Sequence, residues 1–328
     1  MKILRSLVVA GMTCAATLGA LPLTEANAAE DITYLLPAPA FLPAFSPWMV
    51  AKARGYYEEE GLNVTFQVAK GGVDVAKQVG AGNAVVGGAI GDTPILVRSN
   101  GIPVKAVAVL GGHSLMQLVV NTEKGIETPA DLKGKTITAL AYQDTTFYAL
   151  LGVLASVGLT KDDVNAQAVG PVNIWKLFIA GEADAMASVP DWTYLALQSG
   201  MKGLKILKTD DYFKSMAQAI IVADDTIEKN PELVKKIVSA TLKGLKAIMD
   251  DPDAAAADYV KAVPQHAGKE KDMAAIFRMF TEAVYSGQDT LGAMDRERLD
   301  ALQNFYFDQG IIRSKTPLDD LYTNQFVD

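Results

Sequence analysis

The chain has 328 residues, 30 Lys and Arg against 38 Asp and Glu, two histidines, one cysteine and a formal net charge of −8. Without a clustered basic run to displace counterions, nucleic acid is excluded as a partner, and a lone Cys14 excludes disulfide frameworks and thiolate metal sites built within the chain. The length exceeds what one hydrophobic core usually supports, so two domains are expected.

Residues 1–28 read as a signal peptide. Lys2 and Arg5 form a charged start, an apolar run extends from Leu7 to Leu21, and Ala26-Asn27-Ala28 supplies a small-x-small cleavage pattern. Thr13, Thr17 and Pro22 make that run too short and impure to span a bilayer. Cleavage near Ala28 removes Cys14 and a net +1, taking −8 to −9 and leaving a chain without thiols. The expected location is the periplasm.

From Ile32 onward short β-branched runs alternate with helical stretches, the pattern of an α/β protein with a largely parallel sheet. Strands are expected at 32–36, 62–68, 85–90 and 104–110, with helices between them. Ser46 before Pro47 and Thr93 before Pro94 are the expected N-caps. Leu118 to Val120 reads as an apolar bridge into a second set of units, with strands at 136–140, 166–169, 183–189 and 204–207 and helices at 145–157, 174–180 and 192–198. Ala219 to Val222 reads as a second bridge. Thereafter Val234, Ile237, Thr241, Leu245 and Ile248 recur at helical spacing, and the remainder is expected to be a helical tail packed on the first set. The expected lobes are 29–118 with 220–328, and 119–219.

Several stretches are similar to a known family. Trp48 through Gly55-Tyr56-Tyr57 to Gly61-Leu62-Asn63-Val64, the Gly71-Gly72 pair, Gly80 to Ala84, Asp131-Leu132-Lys133-Gly134-Lys135-Thr136-Ile137 and Gly181-Glu182-Ala183-Asp184-Ala185 resemble the importer-associated binding proteins for nitrate, taurine, alkanesulfonates and thiamine-pyrimidine precursors. The resemblance implies a type II periplasmic-binding fold: two α/β lobes, a two-strand hinge and a C-terminal helical extension. It also implies a small-molecule ligand in the interlobe cleft and an ABC permease as membrane partner. A monomer without cofactor or catalytic role is expected. The pyrimidine synthase of thiamine biosynthesis shares this architecture, but its cysteine-rich iron motif has no counterpart after residue 28.

In open α/β sheets ligands sit beyond the carboxyl ends of strands, near helix N-termini. On that rule Phe41, Phe45, Tyr142 and Trp192 are candidate aromatic walls, and Gly72 permits close backbone approach. Asp144, Thr145 and Thr146 open a helix and can cap it, face a ligand, or both. Asp92 is left without a local task if Thr93 caps its helix; Asp191 follows Pro190 and is a cap or a ligand group. His113 and Ser114 follow Gly111-Gly112 and are candidate donors. The assigned segments offer carboxylates and Lys70 but no arginine, so a neutral or amine-bearing nitrogen heterocycle such as a pyrimidine is favoured over a sulfonate, nitrate or aromatic carboxylate.

Overall fold

Residues 29–327 are described by the computed structural model, and the expected signal segment lies outside them. Among the described residues ten strands form: β1 (Glu30–Leu36), β2 (Leu62–Val68), β3 (Val86–Ile90), β4 (Val104–Val109), β5 (Gln117–Asn121), β6 (Thr136–Ala139), β7 (Asn165–Ala168), β8 (Ala185–Ser188), β9 (Leu204–Lys208) and β10 (Gln218–Ala223). They make two five-stranded sheets, ordered β2-β1-β3-β10-β4 and β7-β6-β8-β5-β9. Each sheet mixes parallel pairs with one antiparallel central strand, β10 in the first and β5 in the second.

The sequence pattern explains which strands lie where. At the edge, β2 alternates buried Leu62 and Val64 with exposed Asn63 and Thr65, as a strand covered on one face requires. In β5 and β10 every residue is buried, the condition of a strand covered on both faces. That revises the expected bridges. Leu118–Val120 and Ala219–Val222 are not crossings but the hearts of these two central strands. The chain passes between the sheets just before each, over residues 110–116 and 209–217. There the two crossings touch: Leu115 N–H donates to Met216 O at 3.1 Å, and Leu110 N–H to Gln218 O at 2.6 Å.

Two expected caps also differ. A 3-10 turn, Pro43–Phe45, runs straight into the helix Ser46–Ala53, so Ser46 is its first residue, and its N–H is taken by Pro43 O. Asp92 occupies the cap position before the helix Thr93–Arg98, and neither it nor Thr93 makes a side-chain cap bond there.

The tail buries its periodic face as expected: Val234, Ile237, Thr241, Leu245 and Ile248 of the helix Pro231–Asp250 are fully buried. This helix meets Ser46–Ala53 so closely that a Cβ on Gly244 would stand 2.2 Å from Pro47 O. Only glycine fits at that crossing. The tail also reaches the second lobe. From the helix Arg296–Asp308, the Phe305 ring lies 4.6 Å from Phe213, and the Tyr306 ring 6.3 Å from Tyr148 of the helix Thr145–Ser156.

Candidate interlobe binding site

Between the lobes lies a cavity of about 40 Å³. Phe45 and Ile90 line it from the first lobe, Leu115 and Gln218 from the ends of the crossings, and Leu140, Val189, Trp192 and the run Asp144 to Thr146 from the second. It has room for about three water molecules, against the roughly 300–1,000 Å³ of a drug-sized site. The walls are mostly apolar. Among the described residues that line it, none is arginine, lysine or histidine.

Asp144 shapes the polar side. It sits at the N-cap of Thr145–Ser156, where its carboxylate accepts from Thr146 N–H at 2.9 Å and Thr146 Oγ1 at 2.5 Å. The Gly72 backbone N–H, across the cleft, also favours the charged form of this carboxylate. Burial pushes the Asp144 carboxyl up while these bonds pull it down. Gly72 packs closely there, since a Cβ would meet Ala89 at 3.3 Å and Thr145 Oγ1 at 3.4 Å.

The predicted site residues divide into three groups. Phe45, Asp144, Thr145, Thr146 and Trp192 line the cavity, and Gly72 backs it. Asp92 and Asp191 are buried but do not line it. Asp92 accepts from Tyr306 Oη at 2.5 Å, and its other oxygen has no partner among the described residues. Burial raises it to about 6. Asp191, in the first turn of Pro190–Gln198, also keeps one oxygen unpartnered among the described residues, and burial raises it to about 7.

The remaining four stand elsewhere. Phe41 is 39% exposed and Tyr142 54% exposed, so neither ring walls the cavity. The Phe41 carbonyl is held by Tyr259 and His266, and the Tyr142 hydroxyl bonds Ala166 O. His113 and Ser114 belong to the crossings, where both contact Asp210. Lys70 is an exposed residue on the loop before Gly71.

Three residues that the sequence did not single out prove central. Gln218 enters the cavity from the start of β10, Tyr306 comes from the tail to Asp92, and Arg298 joins the crossings. Its guanidinium donates to Gly112 O at 2.8 Å, Ser114 Oγ at 3.1 Å and Asp210 Oδ1 at 2.7 Å, and its Nε to Ser215 O at 2.7 Å. One side chain thus holds both crossings. The only sequence signal was helical period, which reports burial and not partners.

The family model described as NMT1/THI5 like matches residues 42–255. The chain belongs to the NMT1/THI5-like family. Within it, the chain is 26% identical to the riboflavin-binding protein RibY of Chloroflexus aurantiacus, over 92% of this chain and 88% of that one. It is 27% identical to a 4-amino-5-hydroxymethyl-2-methylpyrimidine phosphate synthase of Saccharomyces cerevisiae, over 72% of each. The solved periplasmic aliphatic sulphonate binding protein SsuA of Escherichia coli superposes with a TM-score of 0.68 at 16% identity, covering 91% of this chain and 93% of that one. The NMT1/THI5-like chain therefore has the periplasmic-binding-protein fold. No helix among its described residues is long and apolar enough to cross a membrane.

Proposed function

We propose that this NMT1/THI5-like chain is the extracytoplasmic binding component of an ABC importer, and that it takes a neutral or amine-bearing nitrogen heterocycle rather than an oxyanion. The observation that carries this reading is the Asp144 cap. A helix N-terminus favours an anion through its free N–H groups and its dipole, but here a buried carboxylate of the chain itself already holds Thr146 N–H. A ligand anion would have to lie against that carboxylate in a site of low dielectric, with no arginine fork among the lining residues to offset it.

Phe45 and Trp192, both lining the cavity, supply aromatic surface against which a ring can pack. The relatives add weight, since one is named for binding riboflavin and another for making a pyrimidine phosphate. Binding is favoured over catalysis because the one carboxylate lining the cavity, Asp144, is engaged as a helix cap, and the Thr146 hydroxyl paired with it is taken up in that same cap. In this reading the two lobes, joined by the crossings at 110–116 and 209–217 rather than divided at 118/119 and 219/220, move as parts of a monomer and present the closed form to a permease. Export through the signal segment at 1–28 places it in the periplasm.

Calorimetry tests the ligand class. Riboflavin, 4-aminopyrimidine and related heterocycles are compared with taurine, alkanesulfonates, nitrate and aromatic carboxylates. Micromolar binding of a heterocycle with silent oxyanions is expected. Micromolar binding of an oxyanion, undiminished by Lys70→Ala and with no heterocycle response, overturns the reading.

A further inference from the structure

Four polar side chains line the cavity: Asp144, Thr145, Thr146 and Gln218. Asp144 and Thr146 are engaged with each other. Gln218 is different. It is the first residue of β10 and pairs across the sheet with Ile90, which lines the cavity beside it. Its backbone is fixed on both flanks, by Leu110 N–H on its own carbonyl and by Gly91 N–H on the carbonyl of Ala217. The residue is 5% exposed, and its Oε1 is buried with no hydrogen-bond partner among the described residues.

A buried amide oxygen without a donor carries a desolvation cost that native structures rarely leave in place. Nearby Ile90, Leu115 and Ala89 offer only apolar side chains, and the strand fixes where the amide can reach. The Thr145 and Thr146 hydroxyls on the same cavity do not bond it either, so a donor brought into the cavity would satisfy it.

We propose that Gln218 is the residue that selects the ligand, by pairing with a ring edge on which an N–H donor stands beside an acceptor. This rests on the heterocycle reading and narrows it. A primary amide presents one acceptor and one N–H side by side, so it closes a two-bond cycle with such an edge, as glutamine does with adenine. An aminopyrimidine presents that edge through its exocyclic amine and adjacent ring nitrogen, and a flavin through its imide N–H and carbonyl. A sulfonate presents acceptors alone and leaves the Gln218 oxygen unpaired.

The test uses probe pairs in which methylation removes the N–H donor of the ring edge: riboflavin with N3-methylriboflavin, and 4-aminopyrimidine with 4-dimethylaminopyrimidine. The wild-type protein should bind at least one unmethylated member about tenfold or more tighter than its methylated partner. Gln218→Met keeps the length of the side chain and removes both hydrogen-bonding groups. It should weaken that unmethylated probe about tenfold and bring the ratio toward one, with the melting temperature of the free protein maintained or raised. Wild-type affinity for the unmethylated probe in Gln218→Met overturns the Gln218 assignment and leaves the heterocycle reading standing. A wild-type ratio near one does the same without any variant. If no heterocycle binds while taurine or an alkanesulfonate does, both fall together.

Discussion

Asp191 keeps one carboxylate oxygen buried without a partner among the described residues, and burial lifts it from 3.8 to about 7. Asp92 rises from 3.8 to about 6 for the same reason, opposed by the hydroxyl of Tyr306. Both groups hold their proton more tightly in the folded chain than in the unfolded one. Their contribution to stability is therefore fully present below about pH 4 and is lost as the pH rises through 6 and 7. Asp191→Asn should raise the melting temperature at pH 8 and flatten its fall between pH 5 and pH 8. An Asp191→Asn protein with the wild-type pH slope would show that the carboxylate is solvated. Exposed Asp131 and Asp163, lowered by their turn N–H groups, work in the opposite direction but only near and below pH 4.

Among the elements, the crossings depend most on a single contact. Arg298 pairs with Asp210 and also bonds Gly112, Ser114 and Ser215, so segments far apart in the chain converge on one guanidinium. Arg298→Met should cost about 3 kcal/mol, because it leaves Asp210 without its fork. Arg298→Lys should recover only part, since an ammonium cannot span the same acceptors. Chemical denaturation measures both; equal stability of Met and Lys variants would argue against the fork. These contacts mark the limit of what sequence shows. Alternation in Leu62–Val68 and the Asp144-Thr145-Thr146 opening were legible because period and capping are local. The central strands at 118–120 and 219–222 were misplaced as bridges because an apolar run reports burial on both faces and not the neighbour that provides it. Gln218, Arg298 and Tyr306 were missed for a related reason. Their roles come from partners that only the folded chain brings beside them.

At the scale of the molecule, the tail helix Arg296–Asp308 touches the second lobe through Phe305 and Tyr306 while resting on the first through Asp92. Opening about the crossings must therefore separate aromatic pairs as well as widen the cleft, a hinge motion that ligand contacts on both lobes oppose. Solution scattering with and without a binding heterocycle should show compaction on binding, and an unchanged radius of gyration at saturation would count against two moving lobes. The small cavity between Phe45 and Trp192 adds a kinetic consequence. A space of about 40 Å³ does not hold a ring, so in the two-lobe reading the site widens before a ligand seats, and the opening rate sets a common ceiling on how fast any ligand arrives. Ligands that differ in affinity should then differ mainly in residence time, and a permease that spreads the lobes would unload every one of them by the same movement.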